Sequence, residues 1–205
     1  MLWSITVRDE VSIHDSADVS PEAILGPGTS VWHQAQIREG AQVGANCIIG
    51  KGVYIDFDVT IGANCKLQNG VYVYHPATLE DGVFLGPGVI VTNDKRPRAI
   101  TPEGQLKSNA EWLAEPVHIS YGAAVGAGAI LLPGVHVGRW ALIGAGSLVS
   151  KDVPGYGLVF GNPARLRGYT CPCGHRLMKD RGAIYVCPTC QEKVEIKEHL
   201  VDTHS

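Results

Sequence analysis

Stepping six residues at a time from Ile13 meets only aliphatic side chains: Val19, Leu25, Val31, Ile37, Val43, Ile49, Ile55, Ile61, Leu67, Val73, Leu79, Leu85 and Val91. A second lattice lies four residues after each of these. It includes Ala17, Ala35, Cys47, Val59, Cys65, Val83 and Val89, and its members are small or β-branched. A period of six is neither the helical 3.6 nor a two-residue alternation, so amphipathic helices and ordinary hairpin strands are both excluded. It fits a chain that runs straight, turns a corner and runs straight again, with one aliphatic side chain inside at each step. Three steps close a triangular coil of eighteen residues. Closure has independent support: Val43-Gly44-Ala45-Asn46-Cys47 recurs eighteen residues later as Ile61-Gly62-Ala63-Asn64-Cys65. Such coils stack strand on strand at about 4.8 Å, with Cys47 over Cys65 inside. Corners that need positive φ account for the Gly and Asn between the two lattices.

The lattice stops at Val91 and resumes at Ile119, Val125, Leu131, Val137, Ile143 and Val149. The interval from 91 to 119 is 28, which is not a multiple of six, so residues 92–118 leave the coil as a loop of the kind that carries function. Twenty hexads predict between six and seven coils, a prism about 30 Å long. After Pro154 the pattern ends. Residues 1–168 therefore read as one domain, and residues 169–205 as a cysteine-rich segment whose charged end is expected to be partly mobile.

In that segment Cys171-Pro172-Cys173-Gly174 and Cys187-Pro188-Thr189-Cys190 flank a hairpin turning at Asp180-Arg181-Gly182. A CxC and a CxxC at this separation match a four-thiolate zinc ribbon, with Cys171, Cys173, Cys187 and Cys190 as ligands of a structural Zn2+ and His175 as an alternative to one thiolate. Four protein ligands leave no open position, so such a zinc would staple and not catalyse.

Composition narrows the function classes. With 25 Gly and 12 Pro in 205 residues and 18% charged residues the chain is turn-rich, and 45% hydrophobic residues still suffice for a core. A net charge of −3 argues against nucleic-acid or membrane-surface partners, which need a basic face. No apolar run is long enough to span a membrane, and the first residues lack a signal-peptide layout, so a cytoplasmic location is expected. There the six cysteines are expected to be reduced or metal-bound.

The hexads with one ejected loop resemble the left-handed β-helix acyltransferases of the hexapeptide-repeat family. That resemblance implies an all-β, left-handed parallel β-helix shaped as a triangular prism. Particular words carry a narrower likeness: Val31-Trp32-His33, Lys66-Leu67-Gln68-Asn69, the run from Leu79 to Pro87, Thr92-Asn93-Asp94, Pro97-Arg98-Ala99 and Gly161-Asn162-Pro163-Ala164. They are similar to N-acetyltransferases acting on nucleotide-linked 3-amino sugars, enzymes of cell-surface polysaccharide precursor synthesis. The likeness implies a homotrimer with active sites at subunit boundaries, acetyl-CoA in the groove between neighbouring prisms, and acetyl transfer to a sugar amine.

It also assigns residues. Asn93 is expected at the acetyl group, where its amide can both donate and accept. His75, eighteen residues earlier and stacked roughly 5 Å away, is the alternative, since the broader family uses a histidine as general base. His33, Gln68, Asn69, Tyr74 and Arg98 are expected to line the sugar-nucleotide site, with Arg98 suited to pyrophosphate. Gly126, Gly128, Gly144 and Gly146 let a ligand approach the main chain. Asn162, Pro163, Ala164 and Arg165 resemble the family's CoA-contacting end, and Lys151 is a further candidate for CoA phosphates. Other readings of the same prism are acylation of another acceptor such as serine or an antibiotic, a γ-carbonic-anhydrase-like metalloenzyme using His118 and His136, and a non-catalytic scaffold.

Overall fold

The computed structural model describes residues 5–8, 10–108 and 112–196. The charged end beyond residue 196, expected to be mobile, lies outside them.

Each hexad supplies a two-residue strand whose second side chain points inward. Ile48–Ile49, Lys66–Leu67 and Phe84–Leu85 pair in parallel, with Ile49, Leu67 and Leu85 in register. Three sheets of ten, six and seven strands form the faces of the prism. We call first the face containing Ile48–Ile49, second the one containing Tyr54–Ile55, and third the one containing Thr60–Ile61. The architecture is the left-handed parallel β-helix. Between the faces lies one continuous aliphatic core in which Ile49, Ile55, Leu67, Leu85, Val125 and Ile143 are fully buried. Cys47 and Cys65 stack inside it as the repeat predicts, the Cys65 N–H lying 3.4 Å from Cys47 Sγ.

The corners obey the same period. Gly40, Asn46, Gly52, Asp58, Asn64 and Gly70 all have positive φ, six residues apart. Two glycine requirements differ physically. Gly70 needs only its φ of 67°, and a Cβ there would meet open space. At Gly44 a Cβ would lie 2.6 Å from the Ala63 main-chain nitrogen of the next coil.

The prism is longer than the hexads predict. The first face carries eight successive parallel rungs, from Val11–His14 to Gly157–Gly161. Val137 pairs with Val153 and Ile143 with Val159, so the last coil is sixteen residues long and breaks the six-residue step. That shortening hides it from a fixed-period reading. Gly157–Gly161 then turns back through Ala164–Tyr169, which runs antiparallel to it.

The ejected segment leaves after Thr92, whose N–H still bonds Leu131 O at 3.0 Å, and rejoins at buried Val117. It is a ribbon closed on itself by bridges Asp94↔Ala114 and Ile100↔Leu106. The cysteine-rich segment forms a three-stranded sheet of Met178–Lys179, Ile184–Val186 and Lys193–Glu195, with the expected turn between the first two strands. Its own small core holds Cys171, Leu177, Cys187, Val194 and Ile196.

Substitution at the two glycines should separate the two requirements. Gly44→Ala should destabilise by about 2 kcal/mol or more, because two coils are forced apart. Gly70→Asn should cost roughly 1 kcal/mol or less, since Asn46 and Asn64 already hold that backbone conformation at equivalent corners. Urea denaturation of the two variants measures the difference.

Candidate functional site

Stacking at an interval of eighteen turns isolated residues into columns. At the corner following the second-face strands, successive coils present Arg38, Asp56, Tyr74 and Thr92 in one column and Glu39, Phe57, His75 and Asn93 in the next. Asp56 is the hub. It is only 5% exposed, and its Oδ1 accepts from Arg38 Nη1 at 2.8 Å, Tyr54 OH at 2.9 Å and the Phe57 N–H at 2.9 Å. Its Oδ2 accepts the His75 N–H at 3.2 Å. Burial pushes the Tyr54 phenol above its ordinary pKa, which keeps it protonated and donating. Arg38 also pairs with Glu39, and its guanidinium lies over the Phe57 ring at 5.1 Å.

This network holds His75 in one orientation. The imidazole stacks on Phe57 with centroids 4.1 Å apart, and its Nδ1 lies 3.1 Å from the Phe57 carbonyl oxygen. A carbonyl only accepts, so in the neutral ring Nδ1 carries the proton and Nε2 presents a lone pair. Trp112 of the ejected ribbon stands 6.2 Å from the ring. Asn93 sits one coil further on, as the spacing predicts. One of its amide N–H groups donates to His75 O at 2.5 Å, and its main-chain carbonyl accepts the Glu115 N–H at 2.9 Å, which ties the ribbon down beside the histidine. Tyr74 packs against Tyr54 at 5.4 Å on the same corner. Arg98 stands on the exposed ribbon with its guanidinium turned back onto Pro97 O at 2.8 Å.

His33, Gln68 and Asn69 come together elsewhere, at the corner following the first-face strands. They line a 320 Å³ hollow with Trp32, Ile48 and Lys51. His33 stacks on His14 at 3.5 Å, and partial burial, with the charges of His14 and Lys51, pushes its pKa down. Asn69 Oδ1 accepts the Lys51 N–H at 3.0 Å. Gly126, Gly128, Gly144 and Gly146 continue along this corner. Residues 161–165 cap it: Phe160 covers Gly144, where a Cβ would meet the Phe160 Cβ at 2.7 Å, and the Gly161 N–H bonds Ser147 Oγ at 3.2 Å. Asn162, Pro163 and Arg165 are exposed at the tip, with Ala164 half-buried.

Lys151 does not join them. It lies on the corner of His75 and Asn93 and faces a 1170 Å³ cleft across the third face, lined also by Tyr121, His136, Arg139 and Asp152. There His118 Nε2 pairs with Glu80 at 2.7 Å and His136 Nε2 with Ser120 Oγ at 2.9 Å. One nitrogen of each imidazole is thus paired, and the only metal-ligand cluster of three or more among the described residues is that of the four cysteines. The four Sγ atoms all lie within 4.8 Å of one another, and His175, set beside Cys173 at 3.5 Å, is outside the group. Asp56, Phe57, Arg38, Trp112 and Lys51 are the site residues that sequence reasoning missed. All but Trp112 were within reach of the eighteen-residue rule, since Phe57 lies one coil from His75 and Lys51 one coil from His33 and Asn69.

Comparison with known proteins agrees with the hexad repeat and its fold. A model of bacterial transferase hexapeptide repeats matches residues 22–56 and 58–93, and one of the hexapeptide repeat of succinyl-transferase matches 40–75 and 116–151. Nodulation protein L of Rhizobium meliloti is 35% identical over 149 residues, 70% of this chain and 79% of that protein. The dTDP-3-amino-3,6-dideoxy-alpha-D-galactopyranose 3-N-acetyltransferase of Aneurinibacillus thermoaerophilus is 41% identical over 70 residues, 34% of this chain and 36% of that enzyme. Of that enzyme and two further curated relatives the chain spans only 36% to 61% of the length. Among solved structures, LpxA from Bacteroides fragilis superimposes with a TM-score of 0.62 at 21% identity over 78% of this chain and 62% of that one, a likeness of fold.

The hub is open to direct test. Asp56→Asn keeps the shape and removes the charge that Arg38 and Tyr54 address, so stability should fall by about 1–3 kcal/mol. In a double-mutant cycle with Arg38→Met, the two losses should be clearly less than additive.

Proposed function

The chain belongs to the bacterial hexapeptide-repeat transferases, and on that footing we propose that it transfers the acetyl group of acetyl-CoA to the amino group of a nucleotide-linked 3-amino sugar. The observation that carries this reading is His75, whose Nδ1 is committed to Phe57 O and whose Nε2 is left to accept a proton beside the Asn93 amide. The likeness to a dTDP-3-amino-sugar N-acetyltransferase supports the acceptor class.

In the proposed step the neutral amine attacks the thioester carbonyl. Nε2 of His75 takes the amine proton as the C–N bond forms, and the remaining N–H of the Asn93 amide donates to the developing oxyanion. Collapse breaks the C–S bond, and the proton held on His75 passes to the departing thiolate. Weight thus falls on His75 as base, with Asn93 as oxyanion donor. The glycine corner ending in residues 161–165 is read as the bed of acetyl-CoA, since it offers bare main chain and the exposed cation Arg165. Gln68, Asn69 and His33 are read as contacts to the sugar nucleotide.

The two groups of residues lie on opposite edges of the second face, six residues apart in each coil, on the order of 15 Å along an extended side. Within one prism the two groups stay on separate edges. A homotrimer, in which one copy's first corner faces its neighbour's second, joins them, so the site is read as lying between copies. The reading extends to a cytoplasmic enzyme of cell-surface polysaccharide precursor synthesis. The four thiols of the C-terminal segment are read as holding a structural zinc ion outside the reaction.

Thiol release from acetyl-CoA with a panel of UDP- and dTDP-linked 3-amino sugars tests the proposal, with serine and a galactoside as controls. Release with an amino sugar is expected, and release with none of them contradicts it. His75→Ala should lower kcat by ~10²–10⁴-fold. Asn93→Ala should lower it by ~10²-fold. An unchanged rate for either variant removes that residue from the chemistry.

A further inference from the structure

The four cysteines are placed where they act on something beyond themselves. Their sulfurs approach at 3.4 Å (Cys171 to Cys190), 3.5 Å (Cys173 to Cys190) and 3.6 Å (Cys173 to Cys187). These separations are far longer than a disulfide bond. They are close to the roughly 3.8 Å between donors in a tetrahedron with Zn–S bonds of about 2.3 Å. Two tight turns bring the pairs together: Gly174 N–H bonds Cys171 O at 2.7 Å, and Gln191 N–H bonds Cys187 O at 3.0 Å. Without an ion the surrounding core is too small to hold itself. Among the described residues it buries, apart from two of the cysteines, only Leu177, Val194 and Ile196, with Tyr156, Tyr169 and Tyr185 half-buried around them.

The cluster is joined to the prism by one strand. Ala164–Tyr169 begins at the exposed tip over the glycine corner and ends two residues before Cys171. Along the way it pairs with Gly157–Gly161, with a register shift between Leu158 and Val159 that interrupts the ladder. Beyond the strand, Thr170 N–H bonds Tyr156 O at 2.7 Å, and the cysteine core packs on Tyr156 and Tyr169. Arg176, inside the metal-binding segment, donates to Arg167 O at 2.7 Å, which grips the strand from its other side. Among the described residues this strand is the last of its sheet, and what meets its outer edge is the cysteine-rich segment, whose Leu177 N–H bonds Tyr169 O at 2.9 Å.

We propose that Cys171, Cys173, Cys187 and Cys190 form a tetrathiolate zinc clasp that holds Ala164–Tyr169 against the prism, so that metal occupancy sets the position of the 161–165 tip and with it the affinity for the acyl donor. This rests on the reading of that tip as part of the acetyl-CoA bed. The clasp touches none of the reacting atoms. It is a positioning device at the other end of the prism from His33, four rungs beyond Gln68, and on a different corner from His75.

The test uses the full chain. Metal analysis is expected to give one zinc per chain, and cobalt exchanged for it should give the intense visible bands of a tetrahedral thiolate. Chelation of the zinc, reversed by adding it back, should speed hydrogen exchange across residues 157–169 while residues 30–91 stay protected. The same treatment should raise KM for acetyl-CoA roughly tenfold or more, with kcat and KM for the acceptor within about twofold. Cys190→Ser, at an exposed ligand, should reproduce these effects without chelator. Protein that carries no tetrahedral metal overturns the proposal, as does unchanged exchange at 157–169 after metal removal. If exchange rises but no acetyl-CoA is consumed with any acceptor, the clasp stands and the transferase reading fails.

Discussion

The main-chain hydrogen bond between coils is the interaction on which the rest of the molecule depends. Ile48 N–H donates to Cys65 O and Gly50 N–H to Leu67 O, and this ladder repeats at an interval of eighteen residues up the prism. Because it satisfies the main chain, the interior can be built chiefly of aliphatic side chains, with Ile49, Leu67 and Leu85 stacked at zero exposure. Because the interval is fixed, any side chain at a corner is set over its counterpart one coil away. A chemically useful column then needs only suitable residues at matching phases.

The corner of His75 shows what such alignment achieves. Four coils contribute to it: Arg38, then Asp56 and Phe57, then Tyr74 and His75, then Asn93. The buried carboxylate of Asp56 gathers a cation, a phenol and two main-chain N–H groups, and His75 is held by its own N–H to that carboxylate, by stacking on Phe57 and by the Phe57 carbonyl. No single coil could fix the imbalance of the ring's two nitrogens. The ribbon ejected after Thr92 adds Trp112 and, through the Asn93 to Glu115 bond, is anchored at the column it covers.

Much of this was legible in the sequence because a six-residue period determines which way each side chain faces. The aliphatic lattice, the stack of Cys47 on Cys65 and the placement of His75 beside Asn93 all follow from phase alone, and the hairpin at Asp180 follows from its turn residues. What escaped was whatever departs from the period or depends on reach. The last coil is two residues short, so Val153 and Val159, which stack on Val137 and Ile143, fall two residues before the next steps of the aliphatic lattice. Asp56 reads as an ordinary corner acid, and its burial arises only when Tyr54 and Arg38 fold over it. Lys151 is expected from its charge at the CoA phosphates, although its phase puts it on the corner of Asn93. The cysteine spacing predicted a cluster, but that its first cysteine lies two residues beyond the strand capping the glycine corner is a property of the folded chain.

The central claim is that the edge bearing His75 and Asn93 and the edge bearing Gln68 and Asn69 serve one site only when two copies meet. Co-assembly of two inactive variants tests it most directly. One carries His75→Ala and the other Gln68→Ala with Asn69→Ala, refolded or co-expressed at equal amounts. The account predicts that thiol release from acetyl-CoA returns to about a quarter of the unaltered rate, the share of boundaries at which two intact edges face each other. A mixture as inactive as its components, in oligomers shown to contain both chains, would contradict it.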